Sequence, residues 1–142
     1  AWQNPFAVIY EPIKGNNGSI ASVEEIKEDD IFKGFVVNSS LENKRIKQYI
    51  IIQDSKDTTF ATSDKQIEFT GSYAVITLDA KENLSSVYVG EGSFLKFEDI
   101  SIISNSGQST SLFIDFKNTD LKVNTKHSIT LKSNNSKAKI YN

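Results

Sequence analysis

Cysteine and methionine are both absent from the 142 residues, histidine and tryptophan occur once each, and proline twice. Without cysteine there is no disulfide framework, no thiolate metal site and no thiol nucleophile. A single histidine cannot supply the three or four nitrogen and sulfur ligands of a usual zinc site, so no metal and no cofactor are expected. The missing methionine suggests that Ala1 follows a cleavage, a signal removal or another boundary in a longer protein. No apolar run approaches the roughly 18 residues that a membrane helix needs, and no signal peptide is visible. Neither sign of charge predominates, with 16 Lys and Arg against 18 Asp and Glu, a net charge of -2 and a pI near 5.4. A protein that binds duplex nucleic acid concentrates Lys and Arg on one face. The short basic patch at Lys44, Arg45 and Lys47 reads instead as the solvated end of a strand. No nucleic-acid partner is expected.

What is present suits a soluble globular chain, with 38% hydrophobic and 24% charged residues. The length fits one domain over residues 1–142, able to bury roughly two-thirds of its unfolded surface. Helical periodicity is nearly missing. In SVEEIKEDDIF (22–32), Val23, Ile26 and Ile31 form no sustained helical stripe. Strand-length segments dominate: FAVIY (6–10), GFVVN (34–38), IKQYIIIQ (46–53), QIEF, YAVITL, SSVYV, FLKF, DISII, SLFIDF, LKVN and SITLK. Leu112, Ile114 and Phe116 alternate with Ser111, Phe113, Asp115 and Lys117, which predicts one buried and one wet face. Tyr49 to Ile52 is apolar without interruption and suits a strand covered on both sides. The tail SNNSKAKIYN could pair as a last strand through Ile140 and Tyr141. Many short antiparallel strands with polar breaks predict an all-β fold, an antiparallel β-sandwich.

Reactive constellations are hard to assemble from these residues. His127 stands at a strand start, where an exposed polar residue is expected, and nothing but their presence makes Ser128 and Asp115 its triad partners. Glu24, Glu25, Glu28, Asp29 and Asp30 lack a calcium-loop spacing and read as a charged edge that resists strand-to-strand association. DSKD at 54–57 reads the same way. GNNG at 15–18 and GEG at 90–92 lack the following helix of a phosphate loop, and Gly71 marks a turn or bulge. No catalytic residue is assigned. The aromatics carry one functional expectation: Trp2, Tyr49 and Tyr88, with Tyr10 and Tyr73 as further candidates, could stack on the apolar face of a sugar ring.

PFAVIYEP (5–12), SIASVEEI (19–26), GFVVNS (34–39), QYIIIQDS (48–55) and IEFTGSYAVITLDAKENLSSVYVGEGSFLKF (67–97) occur in an order that resembles the C-terminal β-sheet region of heparinase II/III-like polysaccharide lyases. The likeness spans residues 5–103 and rests on strands and turns, including a Leu-x-x-x-Tyr-x-Gly-x-Gly hairpin at 84–92. The resemblance implies a larger secreted or periplasmic enzyme that cleaves uronic-acid-containing polysaccharide by β-elimination. It also implies that the catalytic residues sit in other parts of that enzyme. Residues 69–92 then read as scaffold. The expected role is a non-catalytic accessory domain whose partner is the catalytic portion of the parent enzyme, with contact to an acidic polysaccharide as a further possibility. The alternatives are a free-standing carbohydrate-binding module and a structural module of a surface fibre or filament.

Overall fold

The computed structural model describes residues 8–11, 13, 15, 18–64, 66–117, 122–133 and 136–141. Among these, eleven strands and no helix form one antiparallel hydrogen-bonded sheet. The all-β antiparallel class expected from the sequence holds. The strands are β1 (Ile20–Glu28), β2 (Ile31–Leu41), β3 (Lys44–Ile52), β4 (Thr59–Ala61), β5 (Ile67–Leu78) and β6 (Leu84–Phe97). They continue with β7 (Ile100–Ser104), β8 (Thr110–Asp115), β9 (Lys122–Thr125), β10 (Ile129–Ser133) and β11 (Ser136–Tyr141). The last strand expected in the tail is β11. Of the strand expected at 6–10, residues 8–10 carry no strand and 6–7 lie outside the described residues.

Segment 22–32 is strand, turn and strand. Asp29 and Asp30 take φ of 49° and 62°, and Glu42 and Asn43 take 49° and 63°. Two successive residues at positive φ make the two-residue hairpin turn whose twist matches that of the flanking strands. These turns join β1 to β2 and β2 to β3.

The centre of the fold is the β5–β6 hairpin, whose strands are 12 and 14 residues long. The sequence suggests four short strands here, QIEF, YAVITL, SSVYV and FLKF, but they fuse into two. Each edge of the hairpin serves two different neighbours. Residues 73–78 of β5 pair with β3, whereas residues 68–70 pair with β4. Likewise β8 pairs with residues 86–92 of β6, and β7 with 94–97. The sheet therefore has a first half, β1-β2-β3-β5-β6-β8-β9, and a second half, β4-β5-β6-β7-β10-β11, which share the hairpin.

The hairpin doubles over between these halves. Register places Tyr49 beside Ile76, and Ile76 beside Val87. Phe97 stands ten positions beyond Val87, or ~33 Å along a flat strand. Yet the Tyr49 and Phe97 rings are 5.9 Å apart. Only a sheet folded back on itself brings them together. The fold line is the Gly71–Gly92 pair, flanked by register shifts that skip Ser93 of β6 against β5 and Glu91 of β6 against β8. A Cβ on Gly71 would meet Gly92 Cα and Glu91 O at 2.6 Å and would also run into the Phe69 ring. Only glycine allows the two backbones this close.

The shift also sets which side chains point inward. In β5 the buried positions are Ile67 and Phe69 before the bend, then Ala74, Ile76 and Leu78 after it, so the parity changes. Without that slip one half would turn its apolar set outward. Both sets instead meet in one core with Ile26, Ile51, Phe60, Val87, Leu95, Ile114 and Ile129. Gln53 braces the corner from inside: its buried Nε2 donates to Thr58 O at 2.9 Å and to Gly71 O at 2.8 Å.

Candidate functional site

The outer face of the first half is unusually apolar for a sheet surface. One row runs Phe35–Ile50–Val75–Tyr88–Phe113 across five adjacent strands. A second row, two positions along, runs Ile52–Tyr73–Gly90–Ser111. Strand alternation dictates this: Tyr49, Ile51, Ala74, Ile76, Val87, Val89, Leu112 and Ile114 point to the core, so the residues between them point away. Ile52, Tyr88 and Phe113 are 40%, 42% and 42% exposed.

Aromatic contacts order this face. Tyr73 and Tyr88 meet edge to face, with ring centroids 6.1 Å apart. Tyr88 also lies over bare backbone, because a Cβ on Gly90 would stand 3.2 Å from its Cε1. Phe32 and Phe35 form a second edge-on pair at 5.0 Å. The next row starts with the buried Val37 and then turns polar through Gln48, Thr77, Ser86 and Asp115, with Gln48 Nε2 donating to Thr77 Oγ1 at 3.3 Å. Glu25 stands opposite Phe35 at one end and Asn124 opposite Phe113 at the other. The two apolar rows hold no acid, base or nucleophile other than tyrosine and serine hydroxyls. Such a face can stack or pack, but it offers no reaction centre.

The structure separates the three aromatics named from the sequence. Tyr88 stands on the outer face. Tyr49 is half-buried on the opposite side of the same sheet, against Phe97, with Lys47 Nζ 5.4 Å from its ring centroid. Trp2 lies outside the described residues. Tyr49 and Tyr88 therefore cannot share a platform, whereas Tyr73 and Phe113 join Tyr88. Phe113 was legible as a bulky ring in the wet phase of its strand. The parity of Tyr73 relative to Tyr88 depends on a cross-strand register that the sequence does not display.

The other candidates are scattered. His127 is exposed in the β9–β10 connection, where its backbone N–H donates to Thr125 Oγ1 at 3.3 Å. Of the acidic cluster, Glu24, Glu25 and Glu28 lie on edge strand β1 and Asp29 and Asp30 in its turn; Glu25 pairs with Lys27 at 2.7 Å. Among the described residues no three potential metal ligands gather. Lys44 and Arg45 are exposed where β3 begins, and Lys47 reaches Glu82 at 3.8 Å. Asp79 closes the far end of the central hairpin: the backbone N–H groups of Asn83 and Lys81 donate to its carboxylate and hold its pKa below the ordinary 3.8. A recess behind the bend, lined by Val89, Gly92, Leu95, Ile102, Thr110 and Leu112, has room for little more than a water molecule.

Residues 20–116, from the start of β1 to just past β8, match the family described as the endo-acting ulvan lyase C-terminal domain. The chain belongs to that family. The match takes in the whole fold line and every residue of the two outer rows. One relative is an endo-acting ulvan lyase of Formosa agariphila, 31% identical over 106 residues. Those residues are 75% of this chain but 13% of the relative, so the chain spans a small part of that protein's length. No solved structure matches the chain. The family match supports a C-terminal domain of a polysaccharide lyase. It does not extend to the heparinase II/III-like enzymes that the sequence resembles.

Proposed function

We propose that the chain is a non-catalytic accessory domain, formed by residues 1–142, of a secreted polysaccharide lyase that acts on ulvan or a related acidic polysaccharide. Its role is to support the catalytic portion of the same protein. The observation that carries this reading is the family match over residues 20–116, with a relative in which the matching segment is 13% of a lyase. The fold is consistent with it: a doubled sheet with one core is built to hold a shape. A heparinase II/III-like partner domain is the finer version of this reading and rests on the resemblance alone.

The test compares the lyase polypeptide intact, with the domain deleted, and the 142-residue chain alone. The intact lyase should release unsaturated product from ulvan, the deletion should lose activity or heat resistance, and the chain alone should release none. Product from the chain alone would overturn the reading.

A second reading is favoured by the ring cluster of Tyr88, Tyr73 and Phe113, which could stack on sugar. Of the three residues first named for glycan contact, Tyr88 carries it. Affinity electrophoresis through gels containing ulvan separates the two readings, since a Tyr88→Ala variant should lose any retardation that stacking causes.

A further inference from the structure

We infer that the outer face of the first half, centred on Ile52, Tyr88 and Phe113, is the surface by which this domain packs against the remainder of its own lyase polypeptide. The inference rests on the accessory-domain reading and names the surface that serves it.

The face is apolar where a free sheet surface alternates to polar. Phe35, Ile50, Val75, Tyr88 and Phe113 succeed one another across β2, β3, β5, β6 and β8, with Ile52 and Tyr73 beside them. The largest contiguous apolar patch on a protein surface is often functional. Tyr49 to Ile52 carries the sequence pattern of a strand covered on both sides, yet among the described residues β3 is covered on one, and Ile52 stands 40% exposed. A partner packed on the outer face would supply the second cover.

Size decides between occupants. Four inter-strand steps of ~4.8 Å make the patch ~19 Å wide, and the two rows are ~7 Å apart. With side-chain widths added, the footprint is on the order of 300 Å². A stable pairing of free molecules buries about 800 Å² on each partner, so two copies of this chain cannot be held by this face alone. A covalently tethered partner needs far less area, because the tether keeps the effective concentration near the millimolar range. The occupant must also be uncharged where it touches, since the two rows carry no ionic group. An anionic polysaccharide would find no cation in these rows, whereas an apolar protein surface fits them. The relative, of which the matching segment is 13%, has ample chain to supply that surface.

Hydroxyl-radical footprinting tests this on the 142-residue chain and on the intact lyase. Tyr88, Phe113 and Ile52 should be modified several-fold more slowly in the intact lyase, while Phe94 on the opposite outer face should change little. The double variant Tyr88→Ser, Phe113→Ser should lower the melting temperature of the 142-residue chain by only a few degrees and, in the intact lyase, return Ile52 to its rate in the isolated chain. Equal rates in both proteins, with ulvan still degraded, would overturn the surface and leave the accessory role standing. An intact polypeptide that does not degrade ulvan would overturn the accessory reading, and this inference with it. Protection in the isolated chain that grows with its own concentration would give the face to a second copy. Protection there on adding ulvan would give it to the glycan. Either of these also overturns the inference.

Discussion

The first half of the sheet meets water with Ile52, Tyr88 and Phe113; the second half meets it with Glu68, Lys96, Ser101 and Lys132. Both faces are built on the same two strands, β5 and β6, on either side of one bend. In the second half the apolar exterior shrinks to one half-buried pair, Phe94 beside Ile103 between Thr70 and Thr130, and Lys96 Nζ bonds Glu68 across the strands at 2.9 Å. The shared hairpin, twist and core therefore do not require an apolar exterior. The wide apolar exterior of the first half is not something that the hairpin or the core imposes.

The comparison exists only if the bend is real, and the largest expected effect strikes it directly. Gly71→Ala drives a Cβ into the backbone of Glu91 and Gly92, and should cost about 3 kcal/mol or more in a urea melt. An unchanged melt would mean that the sheet is not doubled and that the two outer faces are not distinct. Gln53→Ala removes both side-chain bonds that brace the corner, while Thr58 O keeps the Gly71 N–H at 3.2 Å, for a loss of about 1.5 kcal/mol. Phe113→Ser, on the apolar face, should cost under about 1 kcal/mol in the isolated chain, because little of the protein rests on that ring. A loss as large as that of a core phenylalanine would show the face to be covered already. On the polar face, Lys96→Ala removes one partly exposed ion pair, an effect of about 0.5 kcal/mol that fades as salt is added.

The smallest effect is one of pH. Asp79 has a lowered pKa in the folded state, so its bonds stabilise above the ordinary value of 3.8 and are lost as the pH falls through the folded value. The melting temperature of Asp79→Asn should therefore trail the parent at neutral pH and converge with it in acid. A constant gap across the range would mean that the turn gains nothing from the charge.

Much of this fold is visible in the chain. Leu112 and Ile114 alternate with Phe113 as a half-wet strand should, and the polar breaks at 29–30 and 42–43 are turns. What local pattern could not show is pairing at a distance. A glycine that ends a strand and one that folds a continuous strand look alike until its partner is known, and the partner of Gly71 is Gly92. Register likewise decides that Tyr49 and Tyr88 point to opposite faces, which no count of residues between them reveals. The uninterrupted run at 49–52 states that both faces of β3 want cover. It does not name what covers the second.

The shared hairpin also has a mechanical consequence. In two sheets held only by side chains, the layers can slide or peel apart while each keeps its own ladder. Here the two longest strands run through both layers, so separating them means tearing backbone hydrogen bonds at the fold line. Under traction or heat the described part of the protein has no seam along which to open, and its layers should melt together in a single transition.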